Sequence, residues 1–146
     1  MLRQVLSGGS LFDCCGLSPR ESGEEELGGA HPGERKMSKR YCLTLDLKDD
    51  PRLIAEYKKH HERVWPEIIK SIKDSGIEDM EIYLLGTRMF MIMEVSDRFS
   101  FDAKAKADAS NPKVQEWEKL MWKFQSPLPQ AKPGEKWLLM DRVFKL

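Results

Sequence analysis

The sequence predicts an α+β fold whose elements follow the order β-α-β-β-α-β. Three observations lead to this prediction. Leucines alternate with more polar residues over 41–47, and apolar residues recur at every third or fourth position over 53–72. Two further strand-like segments, 81–85 and 88–95, are separated only by a Gly-Thr pair, as in a tight hairpin. This order is that of the ferredoxin-like arrangement.

The first strand and the helical segment after it have clear boundaries. One face of the strand carries three leucines, Leu43, Leu45 and Leu47. Asp50 is a suitable N-cap residue and Pro51 a suitable first helical residue. Pro66 interrupts the helical pattern, so we expect a kink there, or a break after which Pro66 begins a second helix. Gly76 then ends the helical segment as the C′ glycine.

The second half of the chain repeats the strand and helix signals. Residues 100–109 form an Ala-rich helical stretch, and Asn111 with Pro112 marks the start of another helix, whose apolar spacing extends to Phe124. A Pro-rich loop over 126–134 follows. Residues 137–144 are predicted to form the last strand.

The strand over 88–95 also predicts an oligomer. Its central residues 89–93 are Met-Phe-Met-Ile-Met, which is apolar on both faces and typical of a strand buried on both sides. Two helices can cover only one face of a four-stranded sheet. We therefore expect the same face of a second copy to cover the other one, giving a homodimer through the sheet faces.

Composition excludes several classes of function. The 146 residues include 24 basic and 24 acidic side chains, and this balance argues against a dedicated nucleic-acid binder. No apolar run approaches the roughly 20 residues of a membrane-spanning helix. Three cysteines are too few for a disulfide framework or a zinc site and are typical of the cytoplasm. No dinucleotide-binding, phosphate-binding or metal-binding motif is present, so no cofactor is predicted.

The N-terminal residues differ from the rest of the chain. Residues 1–36 contain seven of the ten glycines and little apolar material after residue 18, which predicts a disordered extension. The folded domain is expected over residues 37–146, and Met37 is a possible alternative start.

The most notable pattern for function lies on the first helix. Tyr57, His61 and Trp65 are spaced four residues apart and project from one helical face. Histidine suits proton transfer near neutral pH, a tyrosine hydroxyl can bind a polar substrate, and an aromatic ring can stack on a sugar. The same spacing also arises from ordinary core packing. Packing is likewise the default interpretation of Trp117 and Trp122 on the last helix.

The segment around this pattern resembles a known family. Residues 56–68, Glu-Tyr-Lys-Lys-His-His-Glu-Arg-Val-Trp-Pro-Glu-Ile, are similar to the signature of the L-rhamnose mutarotase family, in which Trp-Pro-Glu follows a Tyr and a His four residues apart. The resemblance covers about residues 40–146. It implies a dimeric α+β barrel of ferredoxin-like protomers. It also implies a cofactor-free isomerase that interconverts the α and β anomers of a 6-deoxy-aldose.

The resemblance also implies roles for individual residues. The family's proton-donating histidine corresponds to His61, and its substrate-binding tyrosine corresponds to Tyr57. Of the family's two adjacent tryptophans on the last helix, Trp117 matches the first, whereas Glu118 replaces the second.

The sequence differs from the family pattern at a second place, next to and within the strand over 81–85. Met80 stands where bacterial members have another substrate-binding tyrosine, and Tyr83, three residues later, is at a position that the family also tends to fill with tyrosine. L-Fucose, or another monosaccharide of similar shape, is therefore as reasonable a substrate as L-rhamnose.

Mutarotation opens a cyclic hemiacetal and recloses it, which needs a proton at the ring oxygen and another removed from the anomeric hydroxyl. We expect His61 to shuttle the proton at the ring oxygen and Tyr57 to hold a sugar hydroxyl. Trp117 would pack on the C6 methyl side, with Trp65 supporting the His61 rotamer. Glu118 would accept hydrogen bonds from sugar hydroxyls or act as the base.

Two alternatives belong to other functional classes. Another dimeric α+β barrel enzyme, such as a cofactor-free or haem-dependent monooxygenase, would also place a helical histidine beside an apolar cleft. A non-catalytic dimeric binding module is the other alternative. One fold hosts many functions, so the fold alone does not decide among them.

Overall fold

A computed structural model of the protein describes residues 38–146. Within this range the chain forms nine elements: β1 Lys39–Leu47, α1 Pro51–Glu62, α2 Pro66–Asp74, β2 Ile77–Leu85, β3 Arg88–Val95, α3 Phe101–Ser110, α4 Pro112–Met121, β4 Gln125–Ser126 and β5 Leu138–Leu139. The disordered extension over 1–36 and the alternative start at Met37 are predictions that lie outside the described residues. Each helix in the described range is too short or too polar to cross a membrane.

The strands form one antiparallel sheet in the order β2-β3-β1-β4, with β5 also paired to β1. β1 pairs with β3 along almost its whole length, from Lys39 opposite Val95 to Asp46 opposite Arg88. β4 and β5 share the other edge of β1. The order of strands is that of a ferredoxin-like sheet, as the sequence predicts, except that its last strand is divided into two short pieces.

The helix boundaries follow the predicted caps. The Asp50 side chain accepts a hydrogen bond from the Arg52 amide at 2.8 Å, and Pro51 is the first residue of α1. Pro66 begins a separate helix after α1 ends, so the break is correct and a simple kink is not. Gly76 follows α2 with a φ of 95°, a conformation that favours glycine.

The last predicted strand is wrong in extent. Only Leu138 and Leu139 of residues 137–144 pair with β1, opposite Thr44 and Leu43. The Met140 amide still donates to the Cys42 carbonyl at 2.8 Å, after which the chain leaves the sheet and is exposed. Alternating apolar residues show that a segment can form a strand, but they do not show how far it stays paired with its neighbour.

Two other boundaries differ from the predictions. β2 begins at Ile77 instead of residue 81, because an irregularity between Ile77 and Asp79 interrupts the alternation by which a strand is recognised. The last helix ends at Met121, and Gln125 begins β4 where a helix end followed by a loop was expected.

The core lies between the helices and one face of the sheet, which we call the inner face. The sheet contributes a row of fully buried leucines and methionines, Leu43, Leu45, Leu47, Met89, Met91 and Met93. The helices contribute Tyr57, Ile68, Val114, Trp117 and Met121. On the opposite, outer face Tyr83 and Leu85 are exposed, while Phe90 and Ile92 are half-buried.

The helical layer is tied together by a buried ion pair. Lys104 and Asp108, one turn apart on α3, form an ion pair whose side chains are almost completely buried. The Ser71 hydroxyl on α2 donates to the same carboxylate at 3.4 Å, and Gln115 on α4 donates to the Asp108 carbonyl at 2.8 Å. The Ser71 contact ties α2, which forms one wall of the cavity described below, to α3.

Candidate active site

α1 carries Tyr57 and His61 over the inner face of the sheet. One helical turn separates them, and their ring centroids lie 4.2 Å apart. His61 Nδ1 lies 2.9 Å from the Tyr57 backbone carbonyl, which can only accept a hydrogen bond. Nδ1 therefore carries the proton and donates it to this carbonyl. In neutral His61, Nε2 is left with a free lone pair.

Two tryptophans continue the aromatic cluster. The Trp117 ring of α4 meets His61 edge-on at 5.6 Å and Trp65 edge-on at 5.2 Å. Trp65, the residue before α2, thus packs against the ring that contacts His61. Lys113 Nζ lies 5.6 Å from the centroid of the Trp65 ring.

Two adjoining cavities reach this cluster and share His61 and Ile82. The larger has a volume of about 430 Å³ and the smaller about 290 Å³. Small-ligand pockets occupy roughly 300–1,000 Å³. The larger cavity has aliphatic walls that include Ile68, Ile72, Ile77 and Met80, and Trp117 also lines it. The smaller cavity includes Tyr57.

Three buried polar atoms in these walls have no hydrogen-bond partner among residues 38–146. They are Tyr57 Oη, His61 Nε2 and Trp117 Nε1. Native proteins satisfy most buried polar groups, so several unpaired ones on residues that line these two cavities point to a polar ligand. Together they offer two O–H or N–H groups and one nitrogen lone pair.

Burial controls the protonation of both titratable groups. It lowers the pKa of His61 below its ordinary value, the bond to the Tyr57 carbonyl opposes this, and His60 lowers the pKa further. Burial raises the pKa of Tyr57, while the nearby Gln125 amide acts in the opposite direction. At neutral pH both side chains are therefore uncharged, His61 as a base and Tyr57 as a hydrogen-bond donor.

Glu118 lies on α4 directly after Trp117 but is not among the residues that line either cavity. Its Oε2 is 3.7 Å from Lys136 Nζ, which also donates to the Glu118 backbone carbonyl at 3.1 Å. Lys136 lies 4.6 Å from the Trp122 ring centroid, and burial lowers its pKa to about 8. The structure thus places the Glu118 carboxylate beside Lys136, in the segment before β5.

The two residues considered on β2 lie on opposite faces of the sheet. Met80 lines the larger cavity. Tyr83 is 54% exposed on the outer face, where its hydroxyl donates to Glu81 at 2.6 Å. Within one chain the structure therefore brings Tyr57, His61, Trp65 and Trp117 together but does not bring Tyr83 to them.

Sequence reasoning did not single out several residues of the site. The isoleucines of α2 and Ile82 of β2 read as ordinary core residues, and no local signal distinguishes a cavity wall from a packed core. Lys73, Glu78 and Asp79 give the larger cavity a charged portion. Gln125 was also missed, because a polar residue before a Pro-rich segment is typical of an exposed loop. Among the described residues, no three His, Cys, Asp or Glu side chains come together in a way that could hold a metal ion.

Comparison with known proteins decides the family. The family model described as L-rhamnose mutarotase matches residues 40–146. The chain belongs to this family. The predicted family and the predicted isomerase acting at an anomeric carbon are confirmed.

Individual relatives agree with this assignment. An L-fucose mutarotase from Xanthomonas campestris pv. campestris is 46% identical over 109 residues, which cover 73% of this chain and 87% of the relative. An L-rhamnose mutarotase from Listeria monocytogenes is 28% identical over 88 residues, or 59% and 77% of the two chains. The crystal structure of L-rhamnose mutarotase from Formosa agariphila superposes with a TM-score of 0.54 at 21% identity, covering 74% of this chain and 98% of that one. The similarity to this crystal structure confirms the predicted fold class, an α+β protein of the ferredoxin-like arrangement.

Proposed function

We propose that this mutarotase acts on a 6-deoxy-aldose, with L-fucose as the first candidate and L-rhamnose as the second, and that His61 moves the proton. The observation that carries the proposal is that three unpartnered polar atoms, Tyr57 Oη, His61 Nε2 and Trp117 Nε1, belong to residues lining two adjoining cavities that share His61. The relative named L-fucose mutarotase supports the choice of L-fucose. Aliphatic walls suit a sugar that carries a methyl group at C6.

The proposed mechanism uses one nitrogen for both proton transfers. The anomeric hydroxyl gives its proton to His61 Nε2 while the bond between C1 and the ring oxygen breaks, so that C1 becomes an aldehyde. The imidazolium then gives a proton to the ring oxygen, which neutralises the alkoxide. Rotation about the C1–C2 bond turns the other aldehyde face to the oxygen, and the reverse steps close the ring. Both oxygens are bonded to C1, so they lie within reach of one shuttle.

The other residues bind and orient the sugar in this proposal. Tyr57 donates its O–H to a sugar hydroxyl, and the Trp117 indole presents its face and N–H to the ring. Trp65 holds Trp117 in place. Glu118 has no proton-transfer role in it, because its carboxylate faces Lys136. Family membership favours the isomerase over the monooxygenase and the binding module.

The proposal includes a homodimer through the outer face of the sheet. Phe90 and Ile92 are half-buried there beside the exposed Tyr83 and Leu85. The segment after β5 adds exposed apolar side chains, Val143, Phe144 and Leu146. Exposed apolar side chains grouped on one face of a sheet are typical of a protein–protein interface. We also place the enzyme in the cytoplasm, since Cys42 is a free thiol. Fluorescence microscopy of the tagged full-length chain tests this location.

Saturation-transfer NMR of anomeric exchange tests the mechanism, with L-fucose and L-rhamnose as separate substrates. We expect the wild type to accelerate exchange and His61→Ala to lose about 10²–10⁴-fold of this acceleration, the range that a positioned acid–base group supplies. His60→Ala is the matched control, because His60 lies beside His61 but packs against Phe124 at 5.5 Å. If His61→Ala matches His60→Ala, the assignment of the proton shuttle is wrong.

A further inference from the structure

We propose that Gln125 is a positioning residue for substrate binding, and that its side-chain amide orients the hydroxyl of Tyr57 towards the sugar. This inference rests on the proposed function, in which Tyr57 binds the substrate. Gln125 itself does not line either cavity and acts through Tyr57.

The strand register places the Gln125 side chain beneath α1. In β4 Gln125 lies directly opposite Leu47 of β1, and residues opposite each other in an antiparallel pair share a face of the sheet. Leu47 belongs to the inner face and is buried, and Gln125 is only 1% exposed. The preceding residue, Phe124, packs edge-on against Tyr57 with ring centroids 6.2 Å apart. Strand pairing thus directs the Gln125 side chain to the inner face, and the residue before it packs against Tyr57.

The amide has no other hydrogen bond that would explain its burial. Neither Nε2 nor Oε1 of Gln125 has a partner within residues 38–146, and neither does Tyr57 Oη. An unpaired buried amide destabilises a fold relative to an apolar side chain of similar shape. We therefore infer that the Gln125 amide serves the candidate active site and not the stability of the fold. The amide is near enough to Tyr57 to affect the pKa of that phenol.

The chemistry of the two groups fixes the direction of the effect. A phenol has one O–H to donate and can accept through its oxygen. When the Gln125 amide N–H donates to Tyr57 Oη, the tyrosine O–H is free to donate into the cavity, towards a sugar hydroxyl. Without the amide, the hydroxyl can rotate away, and the sugar loses an oriented donor. The effect falls on sugar binding and leaves the proton shuttle at His61 intact.

The test compares Gln125→Met, which keeps the shape and removes the amide, with Gln115→Met. Gln115 is the matched control because its amide donates to the Asp108 carbonyl, in the helical layer. With L-fucose, we expect Gln125→Met to raise KM about three- to tenfold and to change kcat less than about twofold. Its Tm should change little, since methionine keeps the volume of the buried side chain. Gln115→Met should leave KM unchanged.

A double-substitution cycle separates a positioning role from a structural one. If Gln125 acts through the tyrosine hydroxyl, Gln125→Met has no further effect on KM in a Tyr57→Phe background. A wild-type KM for Gln125→Met, or effects of the two substitutions that simply multiply, would overturn the inference while the mutarotase function stands. A wild type that accelerates neither sugar would instead refute the proposed function and this inference with it.

A measurement on the wild type covers the case in which Gln125→Met does not fold. In ¹⁵N–¹H correlation spectra, the side-chain amide of Gln125 should shift when L-fucose is added, and that of Gln115 should not. Equal behaviour of the two amides would contradict the inference.

Discussion

Helices cover the inner face of the sheet, whereas no helix of the described residues covers the outer face. The same strands supply both faces. On β3, Met89, Met91 and Met93 point inward and are fully buried, while Phe90 and Ile92 point outward and are only half-buried. The inner face holds the cleft with Tyr57 and His61. The outer face carries apolar side chains, Tyr83 and Leu85, that remain exposed in the described protomer. One face thus serves chemistry and the other serves assembly in the function that we propose.

The largest expected difference between the faces is in folding stability. Leu45 on the inner face is fully buried, and Leu85 next to the hairpin turn is 85% exposed. Leu45→Ala should lower the free energy of unfolding by about 2–5 kcal/mol, because it leaves a cavity in the core. Leu85→Ala should change the free energy of unfolding of the isolated protomer by no more than about 0.5 kcal/mol. Urea denaturation at several protein concentrations measures both.

The concentration series makes this comparison sharper. Dimer formation stabilises the folded chain by mass action. If the loss of unfolding free energy caused by Leu85→Ala increases with protein concentration, Leu85 lies in the dimer interface. Equal costs for the two leucines at low concentration would contradict the distinction between the faces.

The next effect concerns assembly through the outer face. Phe90→Glu places a charge in the middle of the proposed interface, and burying an unpaired charge is strongly unfavourable. We expect the wild type to have about twice the protomer mass by size-exclusion chromatography with light scattering, and Phe90→Glu to have the protomer mass. Lys106→Glu, a charge change on the exposed side of α3, is the control and should remain dimeric. A wild type that is monomeric at micromolar concentration would rule out the homodimer.

The smallest effect is a pH dependence that belongs to the inner face. The proposed shuttle needs neutral His61, and burial lowers the pKa of this group. Exchange catalysed by the enzyme should be constant around pH 7–8 and should fall as pH decreases, with a midpoint below the ordinary histidine value of about 6.5. The sugar's own rate, measured without enzyme, is subtracted at each pH. A catalysed rate that increases as His61 becomes protonated would require the imidazolium as the starting form.

Local sequence signals predicted much of the fold. The caps at Asp50 and Gly76 and the alternation of β1 depend on residues close together in the chain, and each is where the sequence placed it. The helix start at Pro66 is one of the two outcomes that the sequence predicted there. The last strand was overestimated because alternation in the sequence does not show how far a segment stays paired with β1. The start of β2 was missed because an irregularity hides the alternation.

The residues of the candidate site also divide into those that local sequence patterns predict and those that they do not. Tyr57 and His61 could be found because a single helical turn brings them together, and helical spacing is visible in the sequence. Trp117 needed the resemblance to the family, since it meets His61 from a different helix, far along the chain. The positions of Glu118 beside Lys136 and of Tyr83 on the outer face could not be predicted, because they depend on how α4 and β2 are oriented in the fold.

The sequence by itself determined the strand and helix order, the helix caps, and the Tyr57–His61 pair. These features depend on contacts within a few residues, where backbone geometry alone fixes which side chains meet. Only the tertiary structure decided which face the helices cover, which walls form the cleft, and that Gln125 lies buried beside Tyr57. Those features depend on strand register and helix packing, which bring together residues that no local pattern relates.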